Sequence, residues 1–334
     1  MKRILIIRID FLGDMTCTTA FIRALKQHWP HAEIHVLANT YNRAVLEGNP
    51  DVSAIHTYVY SKDSGRNVRP GKLYAIFGRL SLILRLRRLK FDLLVVPNGG
   101  MNKNGIQFAR QLNAKDCRWH DADSEFDDRK PDHVANRPIK HEVLSGFALM
   151  PELKLTSVDS LKLYAYPDPA LRASRASELG PKTKPRVGLF VSNKAAERRW
   201  DLHKWSRLAD ALGERAEVLI FRDPADAHAS AQRIGRSARS LAPATVSDMI
   251  AAMSLLDLIV SADSAPVHLG SALQLPIVAL FENRREKYLR WHPLGTRHIL
   301  LHAGARVNDI AFETVEEAVG TLLAELTPAH SCAQ

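Results

Sequence analysis

Short, almost wholly apolar strands that alternate with helices constrain the fold of this chain more than any other feature of its sequence. Segments of this kind are RILIIRI at 3–9, EIHVLA at 33–38 and FDLLVVP at 91–97. They are typical of parallel sheets that helices cover on both faces. The pattern restarts with RVGLFVS at 186–192, after a proline-rich segment. We therefore predict two successive doubly wound α/β domains, at 1–160 and 161–334.

The positive charge of the chain is concentrated in its first half. The 334 residues hold 46 Lys and Arg against 36 Asp and Glu, a formal net charge of +10. Residues 1–150 hold 23 basic and 15 acidic residues and carry +8, which leaves +2 for residues 151–334. A basic domain of this kind can face nucleic acid, an anionic membrane surface or an acidic substrate.

The three cysteines and the start of the chain argue for a reducing cytoplasm. Cys17, Cys117 and Cys332 are far apart, so neither a disulfide framework nor a structural zinc site is expected. The opening MKRILIIRIDFLGDM is interrupted by Arg8 and Asp10 and reads as a strand rather than a signal peptide. The sequence contains no run of about 18 apolar residues, so no membrane span is predicted.

A first polar cluster, which includes Gly13 and Asp14, follows the first strand. Gly13 permits a tight turn, and Asp14 stands where a strand gives way to a helix. That place is the carboxyl edge of a parallel sheet, where open α/β folds bind their ligands. A carboxylate there can take a proton from an incoming hydroxyl. An aspartate at a helix start is also a common helix cap, and both interpretations are compatible.

A second cluster, SADSAPVH at 261–268, stands between another apolar strand and a helix. Its small residues, Ser264 and Ala265, would let pyrophosphate approach backbone N–H groups at the positive end of the helix. Asp263 could hydrogen-bond sugar hydroxyls. The alternatives are helix capping by Asp263 or Ser264, and a packing role for His268.

A third cluster, KAAERRW at 194–200, follows the strand at 186–192 and would lie at the same sheet edge. Lys194 and Arg198 could neutralise charge on a diphosphate leaving group, or form a solvated basic loop. A fourth, Trp291-His292-Pro293, either borders the ligand cleft or closes one edge of the core.

The helical segment 72–90 mixes Arg79, Arg85, Arg87 and Arg88 with leucines and isoleucine. We prefer a helix packed into the core with a solvated arginine edge. The alternative is a basic amphipathic helix that lies on an anionic membrane.

Two common nucleotide-binding motifs are missing. The first strand is not followed by G-x-G-x-x-G, and no Walker A loop occurs. The remaining layout is GT-B, in which two Rossmann-like doubly wound domains face a cleft. Three segments together resemble glycosyltransferase family 9, the lipopolysaccharide heptosyltransferases. They are the opening ILIIRIDFLGDM, the block ERRW-x4-W-x2-L and the stretch DLIVSADSAPVHLGSALQLPIVALFE. The resemblance extends over nearly the whole chain.

This resemblance implies an inverting transfer of heptose, usually from ADP-heptose, to a core sugar of lipopolysaccharide. It implies that the N-terminal domain binds the acceptor, with Asp14 as the catalytic base beside Gly13, and that the C-terminal domain binds the donor. The implied donor residues are Asp263 toward the sugar, Ser264 and Ala265 at the pyrophosphate, His268 in the same motif, and Arg198 or Lys194 facing the leaving group.

No cofactor and no metal are predicted. The acidic pairs Asp121/Asp123 and Asp127/Asp128 lie in a polar loop without strand context, so fixed cations are expected to do the work of a metal. The expected partners are a nucleotide sugar and an anionic glycolipid acceptor, with contact to the inner face of the inner membrane and none to nucleic acid.

Three alternatives remain. The same fold could use another nucleotide sugar or an acceptor other than lipopolysaccharide. It could belong to a nucleotide-sugar epimerase, which needs no separate acceptor. The basic charge could also serve a nucleic-acid binder, although no binding motif supports this.

Overall fold

The computed structural model describes residues 1–122, 130–136, 139–155, 157–223, 225–226 and 233–326. Cys332 lies outside these residues. The chain forms two compact units, Met1–Tyr166 and Pro167–Gln334. The predicted boundary between 160 and 161 lies slightly earlier in the chain.

Unit one is built on a five-stranded parallel sheet. Its strands are β1 (Arg3–Arg8), β2 (Glu33–Ala38), β3 (Ala54–Thr57), β4 (Leu93–Val96) and β5 (Asp116–Trp119). They lie in the order β3-β2-β1-β4-β5. The first strand of the chain is therefore central, and it pairs in register with β2 from Arg3 with Glu33 to Arg8 with Ala38.

Unit two repeats this arrangement with one more strand. Its strands are β6 (Arg186–Phe190), β7 (Glu217–Phe221), β8 (Arg239–Leu241), β9 (Leu258–Ala262), β10 (Ile277–Glu282) and β11 (His298–Ala303). Their order is β11-β10-β9-β6-β7-β8, and all pairs are parallel. This is the strand order of the doubly wound Rossmann fold, and the predicted α/β class is confirmed.

Helices connect the strands of both units. In unit one they are α1 (Leu12–His28), α2 (Lys72–Arg88), α3 (Lys103–Leu112), α4 (Pro131–Asn136) and α5 (Leu144–Phe147). In unit two they are α6 (Pro169–Leu179), α7 (Leu202–Leu212), α8 (Val246–Met253), α9 (Ala265–Ala272), α10 (Arg285–Trp291) and α11 (Phe312–Leu326). None of the helices in the described residues is long and apolar enough to cross a membrane.

Side-chain caps mark the start of three helices in unit two. The carboxylate of Asp168 accepts from the N–H groups of Ala170 and Leu171 at 2.9 Å, at the start of α6. Asp201 and Thr245 cap α7 and α8 in the same way. Such caps satisfy N–H groups that have no partner within the helix, which is why short polar residues begin these elements.

The cores explain why the strands read as apolar runs. In unit one, Leu5 and Ile7 of β1 pack with Leu94 of β4 and with Leu82 and Phe108 of the covering helices. In unit two, residues of the central strands pack against Trp205 of α7 and Val319 of α11. These strand residues include Val187, Leu189, Val260 and Val278. Strands buried on both faces have no polar side to display.

The preferred interpretation of α2, a helix packed into the core with a solvated arginine edge, holds for one side of the helix, where Leu82 and Leu86 join the core. Only Ala75, Leu82 and Leu86 of this helix are buried, and most of its other side chains are exposed. Its apolar residues occupy two opposite sides, of which only one faces the sheet.

Candidate active site

The predicted site residues lie at comparable places in the two units. In a doubly wound sheet the ligand crevice opens at the carboxyl ends of the strands where the strand order reverses. In unit one this point lies between β1 and β4, and in unit two between β6 and β9. Asp14 follows β1, Arg198 follows β6, and Asp263 follows β9.

In unit one, a buried guanidinium gathers three carboxylates. The side chain of Arg8 is 1 % exposed. Its Nε lies 2.9 Å from Asp10 Oδ1, and its Nη2 donates to Glu142 Oε1 at 2.8 Å and also to Asp14 Oδ1. Its Nη1 donates to the carbonyl of Pro97, just beyond β4. Arg8 therefore ties together the two strand ends that border the crevice.

Asp10 and Asp14 are the members of this cluster that remain accessible. Their side chains are 16 % and 15 % exposed, whereas Glu142 is 1 % exposed. Asp10 also accepts from Asn98 Nδ2 at 2.5 Å. Arg8 is the one hydrogen-bond donor to the Asp14 side chain among the described residues, so that carboxylate can accept from a ligand.

Charge balance decides the ionisation of Asp14. Three carboxylates around one guanidinium leave an excess of negative charge in a buried place. Burial raises the pKa of Asp14 to about 8; Asp10 and Glu142 add to the rise, while Arg8 opposes it. Burial likewise raises the pKa of Asp10. Asp14 therefore binds and releases a proton near neutral pH, as a general base must.

Asparagine side chains hold the loop that carries Asp10. Asn39 Nδ2 donates to the carbonyls of Ile9 at 3.1 Å and Asp10 at 2.6 Å. Asn42 Nδ2 donates to the carbonyl of Arg8 at 3.1 Å. Because both asparagines are buried, these contacts fix the backbone after β1.

The helix-cap interpretation of Asp14 is wrong, because α1 begins before it. Phe11 occupies the N-cap position, without a side-chain hydrogen bond, and Asp14 lies in the first turn. Gly13 lies in that turn too and is not among the residues with positive φ. The carboxylate points to Arg8 instead of capping the helix.

In unit two, Asp263 and Arg198 each keep a buried polar atom without a hydrogen-bond partner in the described part of the chain. These atoms are Asp263 Oδ2 and Arg198 Nε. Arg198 Nη1 lies 3.5 Å from Asp263 Oδ2, which makes an ion pair. Asn193 Nδ2 donates to the carbonyl of Asp263 at 3.0 Å and joins the ends of β6 and β9. Unsatisfied buried groups cost stability, and a bound ligand can satisfy them.

The start of α9 is not capped by a side chain. Ser264 is its N-cap residue, but Ser264 Oγ donates to the carbonyl of Ala262 at 2.9 Å. Ala265 and Pro266 then begin the helix. The capping interpretation of Ser264 is therefore wrong, and within the described residues Asp263 forms no cap bond in its place. Asp263 is the residue that directly precedes the N-cap of α9.

The other predicted donor residues differ in their placement. Lys194 lies exposed in the loop after β6. His268 is buried in α9, and its ring meets the edge of Trp291 at 5.7 Å between centroids.

Sequence reasoning missed several residues of both clusters. Burial raises the pKa of Asp263 and Glu282 adds to this, while the charges of Arg198 and Lys287 act to lower it. Glu282 and Lys287 were not predicted, and neither was Glu142. One available signal was Arg8 itself, a charged residue within an otherwise apolar strand.

The described residues contain no group of three or more His, Cys, Asp or Glu side chains placed to hold a metal ion. Of the acidic pairs weighed in the sequence, Asp123, Asp127 and Asp128 lie outside those residues.

Two doubly wound units, each with a polar cluster where its strand order reverses, define the class of α/β proteins that bind ligands at the carboxyl edge of a parallel sheet. A sequence profile of glycosyltransferase family 9 (heptosyltransferase) matches residues 79–317. The chain belongs to this family and is a glycosyltransferase, so the predicted family and enzyme class are confirmed.

Individual relatives agree with this assignment. The chain is 25 % identical over 307 residues to lipopolysaccharide heptosyltransferase 3 of Escherichia coli, covering 88 % of this chain and 87 % of the relative. A family 9 crystal structure from Veillonella parvula is 20 % identical, with a TM-score of 0.79 over 97 % of this chain and 98 % of that one. ADP-heptose lps heptosyltransferase II of E. coli is 18 % identical, with a TM-score of 0.72 over 98 % and 99 %. The predicted GT-B fold class is confirmed by these structures.

Proposed function

We propose that this heptosyltransferase moves a heptose from ADP-heptose to a core sugar of lipopolysaccharide, with inversion at the anomeric carbon. The names of the relatives support both substrates. The observation that carries the proposal is the accessible Asp14 carboxylate, whose surroundings raise its pKa to about 8 at the crevice of unit one.

Asp14 acts as the general base. It removes the proton of the acceptor hydroxyl as the hydroxyl oxygen attacks the anomeric carbon from the face opposite the diphosphate. A new glycosidic bond forms, the bond to the diphosphate breaks, and its electron pair leaves with the nucleotide. Arg8 holds the carboxylate in place and stabilises the ionised form between turnovers.

Unit two binds the donor. The Asp263 carboxylate accepts hydrogen bonds from sugar hydroxyls, and the uncapped start of α9 at Ser264 and Ala265 receives the diphosphate. Arg198, together with Lys194, faces the negative charge that develops on the leaving group. We propose that these fixed cations make the transfer independent of a metal ion. His268 supports α9 from behind by packing on Trp291.

Unit one binds the acceptor, which we propose to be an anionic glycolipid. The net charge of +8 on residues 1–150 attracts such a substrate. Because glycolipids reside in membranes, we place the enzyme in the cytoplasm, peripheral to the inner face of the inner membrane.

Two variants test the proposal separately, one for the catalytic base in unit one and one for the donor site in unit two. We expect Asp14→Asn to lower kcat by at least about 100-fold and to leave the Kd for ADP unchanged, because the amide cannot accept the proton. We expect Arg198→Ala to raise the Kd for ADP about 10- to 100-fold through loss of a charge-assisted contact. Turnover is measured with ADP-heptose and a core acceptor, and ADP affinity by calorimetry.

Each of these variants has a control with the same substitution type in the same unit. Asp116→Asn on β5 and Arg207→Ala on α7 remove similar groups that pair elsewhere. Full turnover by Asp14→Asn would reject the base, and unchanged ADP affinity in Arg198→Ala would reject the donor site. Conversion of the donor sugar without an acceptor would identify an epimerase instead.

A further inference from the structure

Helix α2 presents an apolar surface to solvent. Five of its side chains form what we term the exposed apolar stripe: Leu73, Ile76, Phe77, Leu80 and Leu84. They are 71, 59, 67, 52 and 46 % exposed. Single exposed apolar residues are common on protein surfaces, but a contiguous set of this size marks an interaction site.

The stripe lies on one side of the helix and the core contacts lie on the other. Its members are spaced i, i+3, i+4, i+7 and i+11, which places them on one face along about 16 Å of the 17-residue helix. Ala75, Leu82 and Leu86 are the buried residues, and this spacing sets them on the opposite face. The helix is therefore apolar on two sides.

Polar contacts fix the rotation of α2, so the stripe cannot turn inward. Arg79 donates to Tyr58 Oη at 2.8 Å and to Gln111 Oε1 at 3.2 Å. Arg87 Nε donates to the carbonyl of Gln111 at 2.7 Å. These two arginines tie the helix to Tyr58, just after β3, and to α3, and they leave the stripe facing outward.

Cations border the stripe. Lys72, Arg85 and Arg88 are exposed and form no hydrogen bond or ion pair with another side chain in the part of the chain that is described. Val68 and Tyr74, which are 82 % and 63 % exposed, extend the apolar surface at the start of the helix. The partner of this face must therefore be both apolar and anionic.

We propose that the exposed apolar stripe, with Lys72, Arg85 and Arg88, docks unit one onto an anionic lipid bilayer. Apolar side chains of such a helix enter the boundary between headgroups and acyl chains, while basic side chains meet lipid phosphates. A second copy of the chain fits less well, because a symmetric contact would bring the same arginines together. The biological role of this docking rests on the proposed function, because a glycolipid acceptor would be bound at the membrane surface. The docking itself does not depend on that function.

The position of α2 suits this role. The helix follows β3 and so begins at the carboxyl edge of the sheet, the edge at which Asp14 lies. A bilayer held against Lys72 and Leu73 is thus near the edge of unit one that we assign to the acceptor.

The test is co-sedimentation of the full chain with vesicles, in the absence of donor and acceptor. One set of vesicles is phosphatidylcholine alone, and the other contains about 30 mol % phosphatidylglycerol. We expect binding to the anionic vesicles, at least about 10-fold weaker binding by Phe77→Ser/Leu80→Ser, and a similar loss for Arg85→Glu/Arg88→Glu. The charge-matched control Arg172→Glu/Arg215→Glu, at exposed positions of unit two, keeps wild-type binding.

Each result has a defined consequence. An unchanged melting temperature and ADP affinity in the Phe77→Ser/Leu80→Ser variant shows that the variant is folded. Equal vesicle binding by this variant and the wild type, or no binding by the wild type, overturns the proposal. A dimer in light scattering that this variant dissociates would assign the stripe to a second copy. Because no substrate is present, these outcomes are independent of the turnover test of Asp14.

Discussion

Arg8 is the residue on which the unit-one cluster depends. A buried charge is tolerated only when it is paired and hydrogen-bonded, and Arg8 meets this condition with Asp10, Asp14, Glu142 and the Pro97 carbonyl. Glu142 is too buried to touch a substrate and also accepts from the Gly99 N–H at 3.1 Å. It is a positioning residue that acts on Asp14 through Arg8 and through its own charge.

The pH dependence of turnover tests this electrostatic coupling. Because the pKa of Asp14 is raised to about 8, we expect kcat/KM to rise with pH and level off above about 8. Glu142→Gln keeps an acceptor for Arg8 but removes a negative neighbour. The pKa of Asp14 should then fall, which moves the rise to lower pH and increases kcat/KM about three- to tenfold on the acidic limb.

The control for this experiment is Glu152→Gln, since Glu152 pairs with Arg118 rather than Arg8. Its profile should coincide with the wild type. If Glu142→Gln left the acidic limb in place, Glu142 would have no electrostatic role at Asp14.

At the residue scale, the sequence pointed to single candidate residues but not to the side chains that contact them in the fold. The position of Asp14 was predictable because it follows an apolar strand and precedes a helix. Glu142 is 134 positions away from Arg8 along the chain, and only the folded unit brings them together. No local pattern contains that contact.

At the scale of elements, α9 shows how packing positions the proposed diphosphate site. Gly270 lies where this helix crosses the sheet, and a Cβ there would stand 2.3 Å from Ile259 Cδ1 and 3.1 Å from Ile277 Cδ1. Both isoleucines are fully buried, so they have little room to move. Glycine therefore allows α9 to pack closely against β9 and β10.

We predict opposite effects of two glycine-to-alanine changes. Gly270→Ala should destabilise unit two by about 1–3 kcal/mol, lower the melting temperature by about 3–10 °C and weaken ADP binding. Gly78→Ala in α2 would place its Cβ in ordinary contact, 3.6 Å from Val59 Cγ1, and should raise stability by up to about 1 kcal/mol. Calorimetric melting of both variants measures these effects, and equal shifts would contradict the packing argument.

The elements that the sequence predicted well are the central ones. Strands such as β1 and β4 are buried on both sides and read as continuous apolar runs. The edge strands β5 and β11 were missed because they are half-buried and mix polar with apolar residues. The exposed apolar side of α2 could not be assigned from the sequence for a related reason, since periodicity reports that a helix is amphipathic and not which side meets the core.

At the scale of the whole molecule, the two units share one topology, to which unit two adds a sixth strand. The proposal assigns the nucleotide to unit two and the acceptor to unit one. Hydrogen exchange on the full chain tests this division. We expect saturating ADP to slow amide exchange about 10- to 100-fold at 191–200 and 261–272 and to leave residues 8–14 unchanged. Protection confined to 8–14 would reverse the assignment.

The central place of β1 has a consequence for the synthesis of the protein. Its apolar segment RILIIR is synthesised before both of its neighbours, and the second of them, β4, is complete only about 90 residues later, which is roughly 4–20 seconds at bacterial elongation rates. During that interval one edge of β1 has no strand to pair with. A nascent segment that is apolar and rich in β-branched residues aggregates readily. The topology that places Asp14 at the end of a central strand thus leaves an aggregation-prone edge uncovered in the newborn chain until β4 has been made.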